Sequence, residues 1–369
     1  MKKIFLTMLL AVVLAPLSSK AQGCEEAGDD EGIKVFGFLQ AQYEYQFLGD
    51  SVQKFMHGRD SESTFYFNRA RLGVLGSIPY DFSYYFLAEF SPTLGGPYIL
   101  DAFITYKRFA PYVNVSVGQF KMPFGLELQT PCHGLYSIDR SRVVNELASP
   151  FRDMGVLIYG GTGDLKIFGL ENENIFKWQL AVTNGTGQNK PDDNSMKDFT
   201  GRLVFQPFEG LGVGGSYKTG RYTPVQAGLP QDERTRWGVE LSFKRWGFLL
   251  QGEYIAGQDK GSTLVGGGCG QVPTIVKGDF DKSGYWAALM YEFSFGFAPI
   301  IKYQYFKVES DVAGFNTQEQ TELIMGFNYY LNDWTRLQFN YVITTDSYIP
   351  DDSDFNRNYI QAQVQVRFN

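Results

Sequence analysis

Residues 118–155 read GQFKMPFGLELQTPCHGLYSIDRSRVVNELASPFRDMG and interrupt a chain that otherwise alternates like strands. Alternating stretches at 112–118 and 154–161 flank them, but 118–155 has no period of its own and carries Pro123, Pro131 and Pro150. Loops of more than about 15 residues in a compact fold are usually functional or disordered. The Phe, Leu, Ile and Val content of this one argues against disorder. We therefore expect an ordered loop that packs against a large surface, the inside of a barrel.

Outward from this loop, the chain repeats one pattern. Residues 35–47 place Val35, Leu39 and Tyr43 on one face and Gln40 on the other, and a period of two predicts a strand. A strand of about 10 residues crosses a membrane at a tilt. The same pattern predicts strands at residues 35–47, 66–78, 82–90, 100–109, 112–118, 154–161, 176–184, 199–208, 211–219, 236–245, 248–256, 285–293, 299–308, 321–331, 337–344 and 358–368.

The connections between these strands alternate in length. Tight turns such as 79–81 and 246–247 alternate with long polar loops such as 185–198 and 257–283. The one exception is 161–174, a long connection at a position where the pattern calls for a tight turn. Short turns on one side and long loops on the other are typical of outer-membrane barrels. The sequence thus predicts an all-β fold, a transmembrane antiparallel β-barrel of about 16 strands.

The N-terminus has the features of an export signal. Lys2 and Lys3 precede an apolar run at 4–17, and Ser19 and Ala21 stand where a signal peptidase reads. We expect a signal peptide at 1–21, an N-terminal segment at 22–33 and the barrel at 34–369. Lipidation of Cys24 stays open, although the usual Leu before the cysteine is missing. After the signal no run of about 18 apolar residues remains, so no transmembrane helix is expected.

Composition and charge agree with a barrel. The chain has 23 Tyr, 32 Phe and 41 Gly but only 3 Cys, which suits strands and turns better than a disulfide scaffold. Its formal charge is −7, and loss of the three signal lysines makes it about −10. Such an acidic chain argues against nucleic-acid binding. Two interpretations of Cys132 and Cys269 remain: they form a disulfide bridge between loops, or they are two inert thiols.

Alternation assigns basic side chains to the non-lipid face of the strands. Arg69 and Arg71 are two residues apart on one strand and are expected to point the same way. Rings of Arg or Lys inside a pore favour anions. The alternative is that basic wall residues pair with nearby acids, as Arg71 would with Glu89. The basic wall positions are Arg69, Arg71, Lys107, Lys177, Arg202, Lys218, Arg236, Lys244, Lys302, Arg336 and Arg367.

The long loop carries as many acids as bases. Its charged residues are Lys121, Arg140, Arg142 and Arg152 with Glu127, Asp139, Glu146 and Asp153. Two arrangements fit this balance. Arg140 and Arg142 face the lumen and the acids hold them in place, or the loop is a plug of salt bridges.

Five short motifs carry a family resemblance. They are FNRARLG at 67–73, DAF at 101–103, GQFKMPFGLE at 118–127, DRS at 139–141 and RDMGV at 152–156. With these motifs, in this order, the chain resembles the phosphate-selective porin O and P family. The resemblance implies a barrel of the bacterial outer membrane, usually trimeric, with the third outer loop, here 118–153, folded inward. It also implies anion binding by basic residues on the shared motifs, which are Arg69, Arg71, Lys121, Arg140, Arg142 and Arg152.

Other functions find little support in the sequence. His57 and His133 are the only histidines, neither accompanies a nucleophile motif, and no Cys or His spacing fits a metal. We expect no enzyme, cofactor or metal, but a porin for passive diffusion of small solutes, chiefly anions such as phosphate. The alternative is a general diffusion porin for sugars or peptides.

In that alternative, aromatic wall residues such as Phe65, Phe67, Tyr85 and Trp286 would form an apolar track along which sugars or peptides pass. The expected partners are small anionic solutes, outer-membrane lipid, two further copies in a homotrimer and the barrel-assembly machinery. The barrel-assembly machinery is expected because a terminal amphipathic strand, here 358–368, with an aromatic residue near its end suits insertion by that machinery.

Overall fold

The computed structural model describes residues 32–47, 62–167, 169–170, 172–223, 232–265, 274–312, 315–347 and 358–368. The predicted signal peptide, Cys24, His57 and Cys269 lie outside these residues. The boundaries of the three predicted segments therefore stay predictions.

Within the described residues, sixteen strands form one closed antiparallel barrel, in which β1 pairs with both β2 and β16. The predicted all-β barrel is confirmed. The strands are β1 (Ile33–Gln46), β2 (Ser63–Ile78), β3 (Phe82–Glu89), β4 (Tyr98–Phe109), β5 (Val113–Lys121), β6 (Arg152–Gly161), β7 (Phe176–Thr183), β8 (Asp198–Phe208), β9 (Leu211–Tyr222), β10 (Asp232–Arg245), β11 (Phe248–Val265), β12 (Thr274–Tyr291), β13 (Phe297–Ser310), β14 (Gln318–Tyr330), β15 (Thr335–Asp346) and β16 (Tyr359–Phe368).

The two faces of the sheet reverse the usual pattern of burial. In β1, Leu39 is 42% exposed, whereas the neighbouring Gln40 is 1% exposed. The same holds in β16, where Val364 and Val366 are exposed while Gln363 and Gln365 are buried. Outward apolar side chains and inward polar ones are what a barrel surrounded by lipid requires.

A β-bulge in β2 changes the face that its side chains occupy. The register between β1 and β2 shifts at Gln40/Ala41, so no residue of β1 stands opposite Asn68 in the pairing, and both Asn68 and Arg69 are buried. A bulge inserts one residue and reverses the alternation beyond it. Phe65 and Phe67 are therefore on the outer face, 82% and 44% exposed. The expectation that these two rings line the pore wall is wrong.

Strands β11 and β12 extend well beyond their predicted ends. Residues 257–283 were expected to form a loop, but pairing continues through Gly261↔Gly278 to Val265↔Thr274. Glycine and charged residues interrupt the period of two in this part of the sequence, although the two strands still pair through their backbone groups. The hairpin therefore projects past its neighbours.

Residues 122–151, which we call the β5–β6 segment, join β5 to β6. They contain α1 (Leu126–Gln129), a 3-10 turn (Cys132–Gly134) and α2 (Arg142–Leu147), where the sequence predicted only a loop. None of the helices in the described residues has the length and apolar character needed to span a membrane. The segment is ordered by its contacts, because helices of four to six residues are not stable alone.

Candidate functional site

Residues 133–136 of the β5–β6 segment are held by hydrogen bonds from barrel side chains to their backbone carbonyl groups. Arg336 on β15 donates to the carbonyl oxygens of Leu135 and His133, each at 2.9 Å. Asn328 on β14 donates to the carbonyl oxygen of Tyr136 at 3.0 Å. Buried carbonyl groups need such partners, and here the barrel wall supplies them.

Helix α2 of the segment is held by apolar packing. Val143, Val144 and Leu147 on α2 are fully buried in one cluster with Trp286 of β12 and Phe306 of β13. A fully buried aliphatic side chain of this size contributes about 1.5–3 kcal/mol relative to an exposed one. Two parts of the segment, residues 133–136 and α2, are thus fixed to the wall formed by β12 to β15.

Arg69 and Arg71 both occupy the buried face of β2, as the sequence predicted. Arg71 pairs through Nε with Glu89 Oε2 at 2.7 Å, the pairing that the sequence offered as an alternative. Arg69 donates from Nη1 to Gln40 Oε1 at 2.9 Å, and its Nη2 lies 4.0 Å from Asp139 Oδ1. A carboxylate therefore neutralises Arg71 closely, while Arg69 has only a distant one.

Arg140, in the middle of the segment, bonds to neutral oxygens and a sulfur. Its Nε donates to the Glu127 carbonyl at 3.2 Å and its Nη2 to the Thr130 carbonyl at 2.9 Å. Its Nη1 lies 3.3 Å from Cys132 Sγ, and its guanidinium covers the Phe151 ring at 5.6 Å. Across the part of the chain that the structure describes, no carboxylate forms an ion pair with Arg140.

Cys132 is the point at which these basic residues meet. Its thiol is 4% exposed and accepts from Arg71 Nη1 at 3.0 Å as well as from Arg140. Burial raises the pKa of this thiol, but the charges of Arg140, Arg71, Arg69 and Lys121 outweigh burial and hold it well below its usual value. Cys132 is a free cysteine. Its role was not evident from the sequence, which left it as a bridge partner or an inert thiol.

Arg142 and Arg152 stand apart from this cluster. Arg152 Nε and Nη2 each bond one oxygen of Asp101 at 3.0 Å, a bidentate pair in which both side chains are 7% exposed. Arg142 pairs with Glu146 at 2.8 Å on the exposed side of α2. Of the six predicted residues, the structure thus brings Arg69, Arg71 and Arg140 together around Cys132. Lys121 lies opposite Arg152 in the β5–β6 pairing and adds to the positive charge felt by the thiol, and Arg142 and Arg152 pair with carboxylates.

An open cleft lies beside the C-terminal half of the segment. It has a volume of about 340 Å³ and is lined by Asn145, Ser149, Pro150, Phe151, Arg152 and Gln188. Phe151 is the ring that Arg140 covers, so the cleft borders the basic cluster. Within the described ranges, no group of His, Cys, Asp and Glu is arranged to hold a metal ion.

The sequence profile of the phosphate-selective porin O and P family matches residues 39–231. The chain belongs to this family. It is therefore an outer-membrane porin of a bacterial cell, and the resemblance seen in its motifs is confirmed. Members of this family are channels and not enzymes. No match to a curated protein reaches significance.

Solved porin structures share the fold of this family member. OmpT of Vibrio cholerae in its trimer form is 13% identical, with a TM-score of 0.62 over 92% of this chain and 100% of that one. The anion-selective porin of Comamonas acidovorans is 12% identical, with a TM-score of 0.62 over 92% and 100%. The outer-membrane channel DcaP of Acinetobacter baumannii is 13% identical, with a TM-score of 0.60 over 94% and 100%.

Proposed function

We propose that this porin conducts small anionic solutes, such as phosphate, by passive diffusion, and that its β5–β6 segment lies inside the barrel and narrows the pore. The observation that carries the proposal is the convergence of Arg69, Arg71 and Arg140, of which Arg140 has no carboxylate partner among the described residues. Positive charge at a constriction favours anions. Transport of this kind needs no catalytic group.

The inward position of the segment is supported by where it is bound. Its partners lie on strands spread around the closed sheet, and all of them are on the face opposite the exposed apolar one. They are Arg71 on β2, Lys218 on β9, Glu253 on β11, Lys302 on β13 and Arg336 on β15. A segment outside the barrel reaches few of these strands at once.

We assign the anion path to Arg69, Arg71, Lys121 and Arg140, with Arg142 and Arg152 as outer members. The cleft beside Phe151 and Arg152 is the entrance to this path. The trimer form of OmpT from Vibrio cholerae supports a homotrimer here as well. We further propose that the exposed apolar face contacts outer-membrane lipid and that the barrel-assembly machinery inserts the protein.

A general diffusion porin is the second candidate. It is favoured by the carboxylates that neutralise Arg71, Arg142 and Arg152. A pore of this kind would pass both ions of KCl nearly equally and would let sugars through as readily as phosphate.

The test uses the purified protein in planar bilayers. We expect millimolar phosphate to lower the chloride conductance, because both anions compete for the same basic residues. A variant that lacks residues 129–148 should still assemble, since these residues supply no strand, and should conduct more current and respond less to phosphate. An unchanged conductance in the deletion variant would place the segment outside the pore, and insensitivity of the intact protein to phosphate would favour the general porin.

A further inference from the structure

The predicted loop at 118–153 has as many acids as bases, but the carboxyl group of Glu127 pairs with Lys302 of β13 and not with a base of the β5–β6 segment. Its Oε1 accepts from Lys302 Nζ on β13 at 2.5 Å, and its Oε2 accepts from the backbone N–H of Ser141 at 2.7 Å. Glu127 is 4% exposed. It therefore links the barrel wall to the residue that follows Arg140.

The same residue holds the Arg140 side chain through its backbone. The carbonyl oxygen of Glu127 accepts from Arg140 Nε at 3.2 Å, while the Glu127 carboxyl group fixes Ser141. Main chain and guanidinium of Arg140 are thus both tied to one residue. A small movement of α1 would move the charge of Arg140 with it.

Glu253 on β11, two strands from Lys302 on β13, also fixes α1 to the wall. Its Oε1 accepts from Leu126 N and its Oε2 from Glu127 N, each at 3.2 Å, and Trp286 Nε1 also donates to Oε2 at 3.1 Å. Gly125 is required for this approach, since a Cβ there would lie 1.8 Å from Glu253 Oε1. Its φ of +66° also favours glycine.

We infer that Glu127 and Glu253 are positioning residues for Arg140: they hold its guanidinium where a passing anion meets it, instead of cancelling its charge. This inference rests on the proposed function. It gives Glu127 an effect opposite to its charge. Removing the negative charge of Glu127 should weaken the preference for anions. If only the charge mattered, the same substitution would strengthen that preference.

The substitution Glu127→Gln tests this directly. An amide nitrogen cannot accept from either Lys302 or Ser141, so one of the two bonds is lost although the size is kept. Glu146→Gln is the matched control, because it removes the same charge from the same segment but touches only Arg142. We expect the anion-to-cation permeability ratio in a KCl gradient to fall about threefold in Glu127→Gln and to rise in Glu146→Gln.

A double-mutant cycle separates positioning from charge. In an Arg140→Gln background, which by itself lowers the ratio about threefold, Glu127→Gln should cause no further fall. Glu253→Gln should behave as Glu127→Gln does, and it replaces that variant if Glu127→Gln fails to assemble. The inference is overturned if Glu127→Gln or Glu253→Gln raises the ratio as Glu146→Gln does, or if their effects add to that of Arg140→Gln. If Arg140→Gln itself leaves the ratio unchanged, the proposed path through Arg140 fails instead.

Discussion

Arg140 and Arg152 lie near each other in the chain but differ in what surrounds their charge. Arg152, where the chain returns to the barrel, forms a buried bidentate pair with Asp101. Arg140, in the middle of the β5–β6 segment, bonds two carbonyl oxygens and Cys132. The first arrangement is electrically neutral and holds the structure together. The second keeps a positive charge in place without a carboxylate to neutralise it.

The difference teaches that the number of charged residues in a segment does not determine the electric field around it, because that field depends on how the charges are paired. The predicted loop at 118–153 carries four bases and four acids, yet Glu127 pairs with Lys302 of β13 and Arg152 with Asp101 of β4. What a passing ion experiences depends on the partners. The remaining predictions separate the structural pair from the basic cluster.

The largest expected effect is on stability, at the Arg152 pair. Arg152→Gln leaves Asp101 buried without its partner, which typically costs about 3–5 kcal/mol. The temperature at which the unboiled barrel shifts its electrophoretic mobility should fall clearly. The control is Arg142→Gln, whose exposed pair contributes at most about 1 kcal/mol.

The double variant Arg152→Gln with Asp101→Asn sharpens the contrast between the two arginines. It removes both charges of the pair and should keep the reversal potential of the wild type, because the net charge is unchanged. A shift as large as that caused by Arg140→Gln would show that Arg152 belongs to the selective cluster after all.

A smaller effect is expected at Cys132. Its depressed pKa makes it a thiolate over a wider pH range, and that thiolate offsets part of the charge of Arg71 and Arg140. Cys132→Ser should therefore raise the anion preference, by about threefold at most for one charge at about 6 Å in a watery pore.

The pH dependence follows from the same charge. Below its pKa the thiol binds a proton and the cluster gains one positive unit, so the anion preference of the wild type should rise as the pH falls through that pKa. Cys132→Ser should lack this step, and subtracting its profile removes the titration of other groups. Identical pH profiles for the two proteins would exclude a thiolate at this position.

Much of the fold was predictable from the sequence, because a period of two fixes both the strands and their faces. The exceptions have local causes. The bulge at Asn68 reverses the alternation in β2, which no pattern of apolar residues announces, and so Phe65 and Phe67 were misplaced. The outer parts of β11 and β12 pair through backbone groups, although their side chains have lost the alternation.

The motifs pointed to six basic residues, and the structure brings three of them, Arg69, Arg71 and Arg140, together at Cys132. Anion binding by the six residues stays a prediction, and the pairing of the charged side chains was not predictable. Their partners come from distant strands, as Lys302 does for Glu127 across 175 residues, and such contacts depend on how the barrel closes. Cys132 had no signal in the sequence beyond its place near Arg140.

The reversal potential in a KCl gradient tests the central claim most directly. Replacing Arg69 and Arg71 together with Glu changes the charge of one wall by four units within a screening length of about 8–10 Å, which neighbouring carboxylates cannot offset. We predict a reversal potential on the anion side for the wild type and a shift toward the cation side for the double variant. A wild-type reversal potential of zero, or one on the cation side, would contradict an anion-preferring pore.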